Sequence, residues 1–342
     1  MRKVWVNASN LHSGGGKTLM LGFIKGIKHI GNAHFIIYHD SRFLLQKNFL
    51  KNNITYISIK SFFERVMISK KINSKYSEGD KIIYLGNLPP LINFTNCQST
   101  LLLSNRFYVD SPRYVKKLDL KIRFKIFLEK LYFKLFIKNV DDIIVQTQTM
   151  KDLCVKSNIK SNIYILPFDD FDSIQPKKIK KIKNSFLYVA STLPYKNHLR
   201  LIKAFSILNN YTNEYTLFIT LGSQDDKITS QIKKLIKKNK LNVVLLENIT
   251  RTTLLSYFEK VENLIYPSLF EAYGLPLVEA KRYNMKIISA DLDYAWDLIK
   301  PDDYFNPYSS VSIFKALTRT IGINIPTNKI LNPKQFINKL LN

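Results

Sequence analysis

The chain has 342 residues, 46% of them hydrophobic and 23% charged, which supports two domains with separate cores and argues against a disordered chain. Its formal net charge of +26 favours anionic partners such as nucleotide phosphates, nucleic acid or an acidic membrane face without choosing among them, and lysines scattered through nearly every segment fit a solvated surface equally well. Cys97 and Cys154 are the only cysteines; far apart and without histidines at metal-ligand spacing, they argue against a disulfide framework or a zinc site and for reduced, buried thiols.

The opening residues, Met1-Arg-Lys-Val-Trp-Val-Asn, run straight into a strand pattern and lack the apolar stretch and cleavage site of a secretory signal. A cytoplasmic protein is expected, and no charge-free run of about 18 apolar residues offers a membrane span. Short apolar runs at Val4–Val6, Phe35–Tyr38, Lys81–Leu85, Thr100–Leu103 and Asp142–Gln146 alternate with segments of helical period, the pattern of a parallel sheet. A second series follows at Ser185–Ala190, Thr216–Leu221, Asn242–Leu246, Asn263–Tyr266 and Lys286–Ser289. The fold class is therefore α/β, with two doubly wound Rossmann-like domains, 1–175 and 176–331, and a C-terminal helix at 332–342 that packs back on the first domain. The polar segment from Pro167 to Lys178 reads as the linker.

Within the first domain, Gly14-Gly15-Gly16-Lys17-Thr18 follows the first strand and opens a helix. A P-loop needs Gly where Leu11 stands, and a Gly-x-Gly-x-x-Gly fingerprint fails at Leu19. A deviant P-loop nucleotide triphosphatase remains an alternative, as does a basic nucleic-acid-binding protein, although no nucleic acid is expected because no recognised motif for it is present. The segment Lys121–Lys138 reads as one helix. Its Phe124, Leu128, Leu131, Tyr132 and Leu135 form an apolar arc to pack on the sheet, leaving Lys130, Lys134 and Lys138 to meet an anionic membrane surface; a solvated lysine face fits as well.

Two segments of the second domain carry chemistry. In Leu187-Tyr-Val-Ala-Ser-Thr-Leu-Pro194-Tyr195-Lys196-Asn197-His198, a strand leads into a turn that puts Lys196 within reach of a phosphate oxygen; a hydrogen bond to such a charged group is worth roughly 1.5–3 kcal/mol. In Tyr266-Pro-Ser-Leu-Phe-Glu271-Ala-Tyr-Gly274-Leu275-Pro276-Leu-Val-Glu279-Ala280, a strand ends, Gly274 allows close backbone approach, and Pro276 suits a first helical turn. A helix N-terminus exposed between two carboxylates suits a diphosphate flanked by sugar and ribose hydroxyls.

Together these segments resemble the glycosyltransferase family 4 signature, a Pro-x-Lys-Asn-type turn followed by Pro-Ser-x-x-Glu-x-x-Gly-x-x-x-x-Glu-Ala, of the bacterial surface-polysaccharide type. The resemblance implies the GT-B fold and a retaining hexosyltransferase that takes a nucleotide diphosphate sugar, needs no metal or other cofactor, and passes the sugar to a glycan, with a lipid-linked glycan among the candidate acceptors, in the cytoplasm or at the inner face of the plasma membrane. It also implies residue roles: Lys196 grips the diphosphate, the Gly274 and Leu275 amides cap it, Glu271 holds donor-sugar hydroxyls, and Glu279 holds the ribose diol, with Lys196 and Glu271 as the catalytic pair. Gly15 and Gly16 belong to the glycine-rich turn facing the donor phosphates. Asn105 stands where relatives often carry a His, so Asn105, Arg106 and His12 are the acceptor-side candidates. Many members carry Arg at the place of Ser191, a role that falls here to Arg251 or to a residue of the first domain. Asn284 replaces the Gly that usually follows the Glu-Ala pair, and is expected in the left-handed conformation.

Overall fold

The computed structural model describes residues 2–11, 14–43, 51–168, 179–221, 227–325 and 332–341. Its first domain is a parallel sheet built from β1 (Arg2–Ala8), β2 (Ala33–Asp40), β3 (Ile54–Ile59), β4 (Lys81–Tyr84), β5 (Gln98–Leu102), β6 (Asp142–Val145) and β7 (Asn162–Ile165), in the order β3-β2-β1-β4-β5-β6-β7. Helices α1 (Gly14–Ile27), α2 (Phe62–Asn73), α3 (Leu120–Phe136) and α4 (Gln148–Lys156) connect the strands. Val4, Trp5 and Val6 are consecutive and all buried, as a strand covered on both faces requires. β3 and β7 lie beyond the strands read from apolar runs alone.

The second domain repeats the plan. Strands β8 (Ile182–Tyr188), β9 (Thr216–Leu221), β10 (Val243–Glu247), β11 (Val261–Tyr266), β12 (Lys286–Ala290) and β13 (Asp303–Phe305) pair in parallel in the order β10-β9-β8-β11-β12-β13. Helices α5 (His198–Leu208), α6 (Lys227–Lys238), α7 (Arg251–Lys260), α8 (Leu275–Arg282), α9 (Asp293–Leu298) and α10 (Ser310–Ile321) surround it. Phe186, Leu187 and Tyr188 of β8 have no exposed surface and anchor its core.

In each sheet the order reverses beside the first strand, between β1 and β4 and between β8 and β11. These are the switch points where doubly wound folds open a crevice beyond the strands' carboxyl ends. Two expected turns are present: Asn197 at φ 64° and Asn284 at φ 49° are both left-handed. Cys97 and Cys154 are free and buried.

The helix α3 departs from expectation. Of its expected apolar arc only Tyr132 turns inward, donating to Pro89 O at 3.0 Å; Phe124, Leu128, Leu131 and Leu135 are exposed. The helix instead docks through Phe133, whose ring stacks on Tyr108 at 5.4 Å, and through Glu129, which accepts from Tyr108 Oη at 3.2 Å. Lys130 is drawn inward as well, donating to Asp110 O at 2.9 Å and to Ser111 Oγ at 2.6 Å. The physical reason is that the helix carries apolar side chains on two faces, and Tyr108 offers an aromatic and hydroxyl partner to the narrower one. The domain boundary expected near residue 175 lies outside the described residues. The last helix, α11 (Pro333–Leu341), leaves Phe336, Ile337 and Leu340 more than half exposed.

Candidate active site

Both switch-point strands of the second domain end in tyrosine, Tyr188 on β8 and Tyr266 on β11. Tyr188 leads into the turn Pro194–Lys196, which closes when Asn197 adopts its left-handed conformation and α5 begins. The Asn197 side chain, 6% exposed, donates to Pro267 O at 3.0 Å and to Pro307 O at 2.8 Å. Leu269 N donates to Tyr195 O at 2.8 Å. One amide side chain and one backbone bond thus tie the lysine turn to the loop that carries Glu271.

That bracing brings the two predicted residues together. Lys196 Nζ lies 2.5 Å from Glu271 Oε1, with the side chains 14% and 11% exposed. Tyr266 Oη donates to the same Oε1 at 2.8 Å. Tyr188 Oη donates to Lys196 O, and Tyr294 on α9 donates to Ser268 O at 2.8 Å. All three tyrosines are almost fully buried, and burial, then the nearby Glu271 carboxylate, raises each hydroxyl well above its ordinary pKa. They therefore stay neutral donors, fixing the lysine backbone, the glutamate carboxylate and the loop between them. Sequence reasoning missed this layer, because an aromatic residue ending a buried strand has the pattern of any core residue.

Past Glu271 the chain turns at Gly274, left-handed at φ 74°, and enters α8 with Pro276 in its first turn. A Cβ at Gly274 would stand 3.2 Å from Leu277 Cδ1 and 3.4 Å from Tyr294 Cδ2, so both conformation and space select glycine. The first amides of α8 have no intrahelical acceptor, and its dipole adds positive potential there. Glu279, one turn in, is 1% exposed and ion-paired with Arg251 at the start of α7. Arg251, expected as a substitute phosphate ligand, is thus engaged with the expected ribose-binding carboxylate, and Ser191 is exposed.

The first domain reaches the same loop. Arg106 makes a two-point ion pair with Asp293, at 2.9 and 2.7 Å, pairs with Asp110 at 2.9 Å, and donates to Glu271 O at 3.3 Å. Its guanidinium sits 4.9 Å from the Phe270 ring centroid, and Phe270 packs on Phe107 at 4.7 Å. Thr147 Oγ1 donates to Ala272 O at 3.2 Å. Asn105 spends its side-chain oxygen on Phe107 N, capping a short 3-10 turn. Both acceptor-side candidates on this segment are thus engaged within the protein, and Arg106 bridges the domains. Gly14, at φ 55°, and Gly15 open α1, and a Cβ at either would meet nothing within 4 Å; at Gly16 it would stand 3.0 Å from Leu11 Cδ2. His12 lies outside the described residues. His198, buried, packs on the Tyr188 ring at 4.7 Å.

Residues 169–320 match the family model described as glycosyl transferases group 1. This segment is thus similar to the group 1 glycosyltransferases. Among curated relatives, the O-antigen chain mannosyltransferase RfbU of Salmonella typhimurium is 25% identical over 208 residues, 57% of this chain and 58% of that protein. The serotype-specific mannosyltransferase WbdA of Escherichia coli is 30% identical over 149 residues, 41% of this chain and 17% of that one. The chain therefore spans just over half of the first relative and about a sixth of the second. The capsular polysaccharide biosynthesis glycosyltransferase CapH of Staphylococcus aureus is 23% identical over 331 residues, covering 92% of this chain and 86% of that protein. In solved structures, the sucrose-phosphate synthase of Thermosynechococcus elongatus superposes with a TM-score of 0.66 at 14% identity, covering 94% of this chain and 90% of that one. The lipopolysaccharide outer core galactosyltransferase WaaB gives 0.60 at 16% identity, covering 94% and 90%. The fold is GT-B, two Rossmann-like domains facing one another.

Proposed function

We propose that this group 1 glycosyltransferase moves a hexosyl group from a nucleoside diphosphate sugar to a glycan acceptor in surface polysaccharide assembly, with retention of configuration and without a metal. The observation that carries the reading is the Lys196–Glu271 pair at 2.5 Å, set beside the α8 N-terminus at the second sheet's switch point. Without donor the two charges compensate each other in a nearly closed place, which neither would tolerate alone. An arriving diphosphate takes over the ammonium and the α8 amides, and frees the carboxylate to accept from sugar hydroxyls. Each charged group exchanges one partner for another, and no charge is left bare.

In the step itself, the bond from the anomeric carbon to the β-phosphate oxygen breaks and the bond to the acceptor oxygen forms on the same face. The acceptor proton passes to the departing phosphate oxygen. Lys196 and the Gly274 and Leu275 amides hold the growing negative charge, the kind of fixed electrostatic stabilisation that contributes most to such barriers. Glu279 is assigned to the ribose diol, with Arg251 as its neutralising neighbour, and Gly15 and Gly16 to the opposite side of the diphosphate. The glycan names of RfbU, WbdA and CapH support a polysaccharide acceptor, for which a lipid-linked glycan is the form to offer first. The mannosyl names of the first two put a nucleoside diphosphate mannose first among donors.

The test is turnover with a panel of nucleoside diphosphate hexoses in excess EDTA, with the anomeric configuration of the product read by NMR. Release of nucleoside diphosphate with a retained linkage is expected. An inverted linkage, or activity abolished by EDTA and restored by a divalent ion, contradicts the mechanism.

A further inference from the structure

The outward face of α3 is a feature that the transferase site leaves unused. Leu120, Phe124, Phe127, Leu128, Leu131 and Leu135 are between 46% and 73% exposed. At 3.6 residues per turn they fall within one arc of about 100°, running the length of the helix. Scattered exposed apolar residues need no explanation, but a continuous stripe of six marks an interaction surface.

Its borders identify the partner. The same periodicity puts Lys121 and Lys125 along one edge of the stripe and Arg123 and Lys134 along the other, and all four are exposed. Glu129, the one acid of α3, lies on the opposite side; it accepts from Tyr108 Oη and stands 3.8 Å from Lys125 Nζ. Just upstream, Lys116 and Lys117 are exposed as well. A row of large apolar side chains between two rows of cations matches the layered chemistry of an anionic bilayer, whose acyl boundary lies below a plane of phosphates. Among the described residues no helix is long and apolar enough to cross a membrane, so the fitting geometry is a helix lying in the interface plane.

We propose that α3 is a membrane-docking helix that inserts Phe124, Phe127 and Leu131 into an anionic lipid surface, with Lys121, Arg123, Lys125 and Lys134 on the phosphates. The surface lies in the first domain, and its action is independent of the transferase reading, since vesicle binding requires neither donor nor acceptor. The expected orientation reverses the one the sequence suggests, because Lys130 is tied inward to Asp110 and Ser111.

The experiment is flotation of the full chain with phosphatidylglycerol-containing vesicles and with pure phosphatidylcholine vesicles at physiological salt. The wild type should partition onto the anionic vesicles. The variant F124S/F127S/L131S should lose at least about tenfold in partition while its thermal transition stays in place, because the three side chains are already exposed. The variant K121E/R123E/K134E should lose the preference for anionic lipid. Equal partition of wild type and F124S/F127S/L131S overturns the proposal, as does absence of wild-type binding. Sedimentation equilibrium distinguishes the other occupant: a wild-type dimer that F124S/F127S/L131S converts to monomer, without vesicle binding, assigns the stripe to a second copy of the chain and overturns the lipid reading.

Discussion

Tyr266 donates its hydroxyl to the same Glu271 oxygen, Oε1, that Lys196 Nζ approaches at 2.5 Å. One carboxylate oxygen therefore collects a neutral donor fixed by the sheet and a cation fixed by the neighbouring turn. In the proposed reaction the cation leaves for the diphosphate and the tyrosine remains, holding Glu271 aimed at the sugar. The variant Tyr266→Phe keeps the ring packing and removes only the hydroxyl. Its kcat should fall about tenfold, the size of one hydrogen bond to a charged group, with the donor KM little changed. A fall confined to KM contradicts the assigned role.

The charge pair makes a prediction about stability that is separate from activity. Lys196→Met leaves the Glu271 carboxylate in a nearly closed site, and Glu271→Gln leaves the ammonium there. Each should cost about 1–3 kcal/mol in denaturant unfolding. The double variant should cost less than the sum, since neither charge is then stranded. Additive losses would show that the two groups do not interact in solution.

Gly274→Ala tests the entry to α8. The left-handed conformation costs a residue with a Cβ about 1–2 kcal/mol, and the added methyl meets Leu277 at 3.2 Å. Stability should drop by at least that amount, and donor binding should weaken because the α8 amides shift. Unchanged donor affinity in a destabilised protein would remove those amides from the site.

Much of this was legible in the sequence, for identifiable reasons. Parallel strands buried on both faces leave continuous apolar runs, which is why β1, β8 and β11 stand out. β13 has three residues and owes its existence to pairing with β12, a relation no local pattern displays. Lys196 and Glu271 were recognisable as members of one site, but their mutual bond depends on Asn197 tying two loops together through Pro267 and Pro307. The bridge from Arg106 to Asp293 joins residues 187 positions apart and was invisible for the same reason. The face of α3 was misread because burial depends on what the helix meets, and Tyr108 lies on the preceding turn rather than in the helix.

Arg106 gives the interdomain contact a specific handle. It binds Asp293, Asp110 and the Glu271 carbonyl together, and Arg106→Ala strands two carboxylates while loosening the Phe270 contact. Small-angle scattering should report a larger radius of gyration for the ligand-free variant than for the wild type. An unchanged radius would show that the remaining contacts, among them Thr147 to Ala272, Thr149 N to Asp297 and Tyr114 to Tyr308, suffice to hold the domains together.

Acid should loosen the first domain through Asp80. Burial raises this carboxyl, but hydrogen bonds from the Trp5 indole and the Ser77 and Lys3 amides outweigh that and hold it below its ordinary value of 3.8. A group depressed in the folded state contributes stability above its unfolded pKa and loses it as pH falls through the folded one. The loss therefore belongs below about pH 4, and Asp80→Asn should remove that part of the acid sensitivity. Near-ultraviolet circular dichroism, to which Trp5 contributes, follows it; identical acid profiles for the two proteins would contradict the assignment.

In the proposed function, the Lys196 turn and the α8 N-terminus hold a nucleoside diphosphate sugar between them. Isothermal titration of nucleoside diphosphate mannose, glucose and galactose donors into the wild type and into Lys196→Ala, in EDTA, tests it most directly. At least one donor should bind the wild type, and the same donor should bind Lys196→Ala about tenfold or more weakly, the loss expected for one charge-assisted contact. Equal affinity for both proteins, or no heat from any sugar nucleotide, would rule out this donor site.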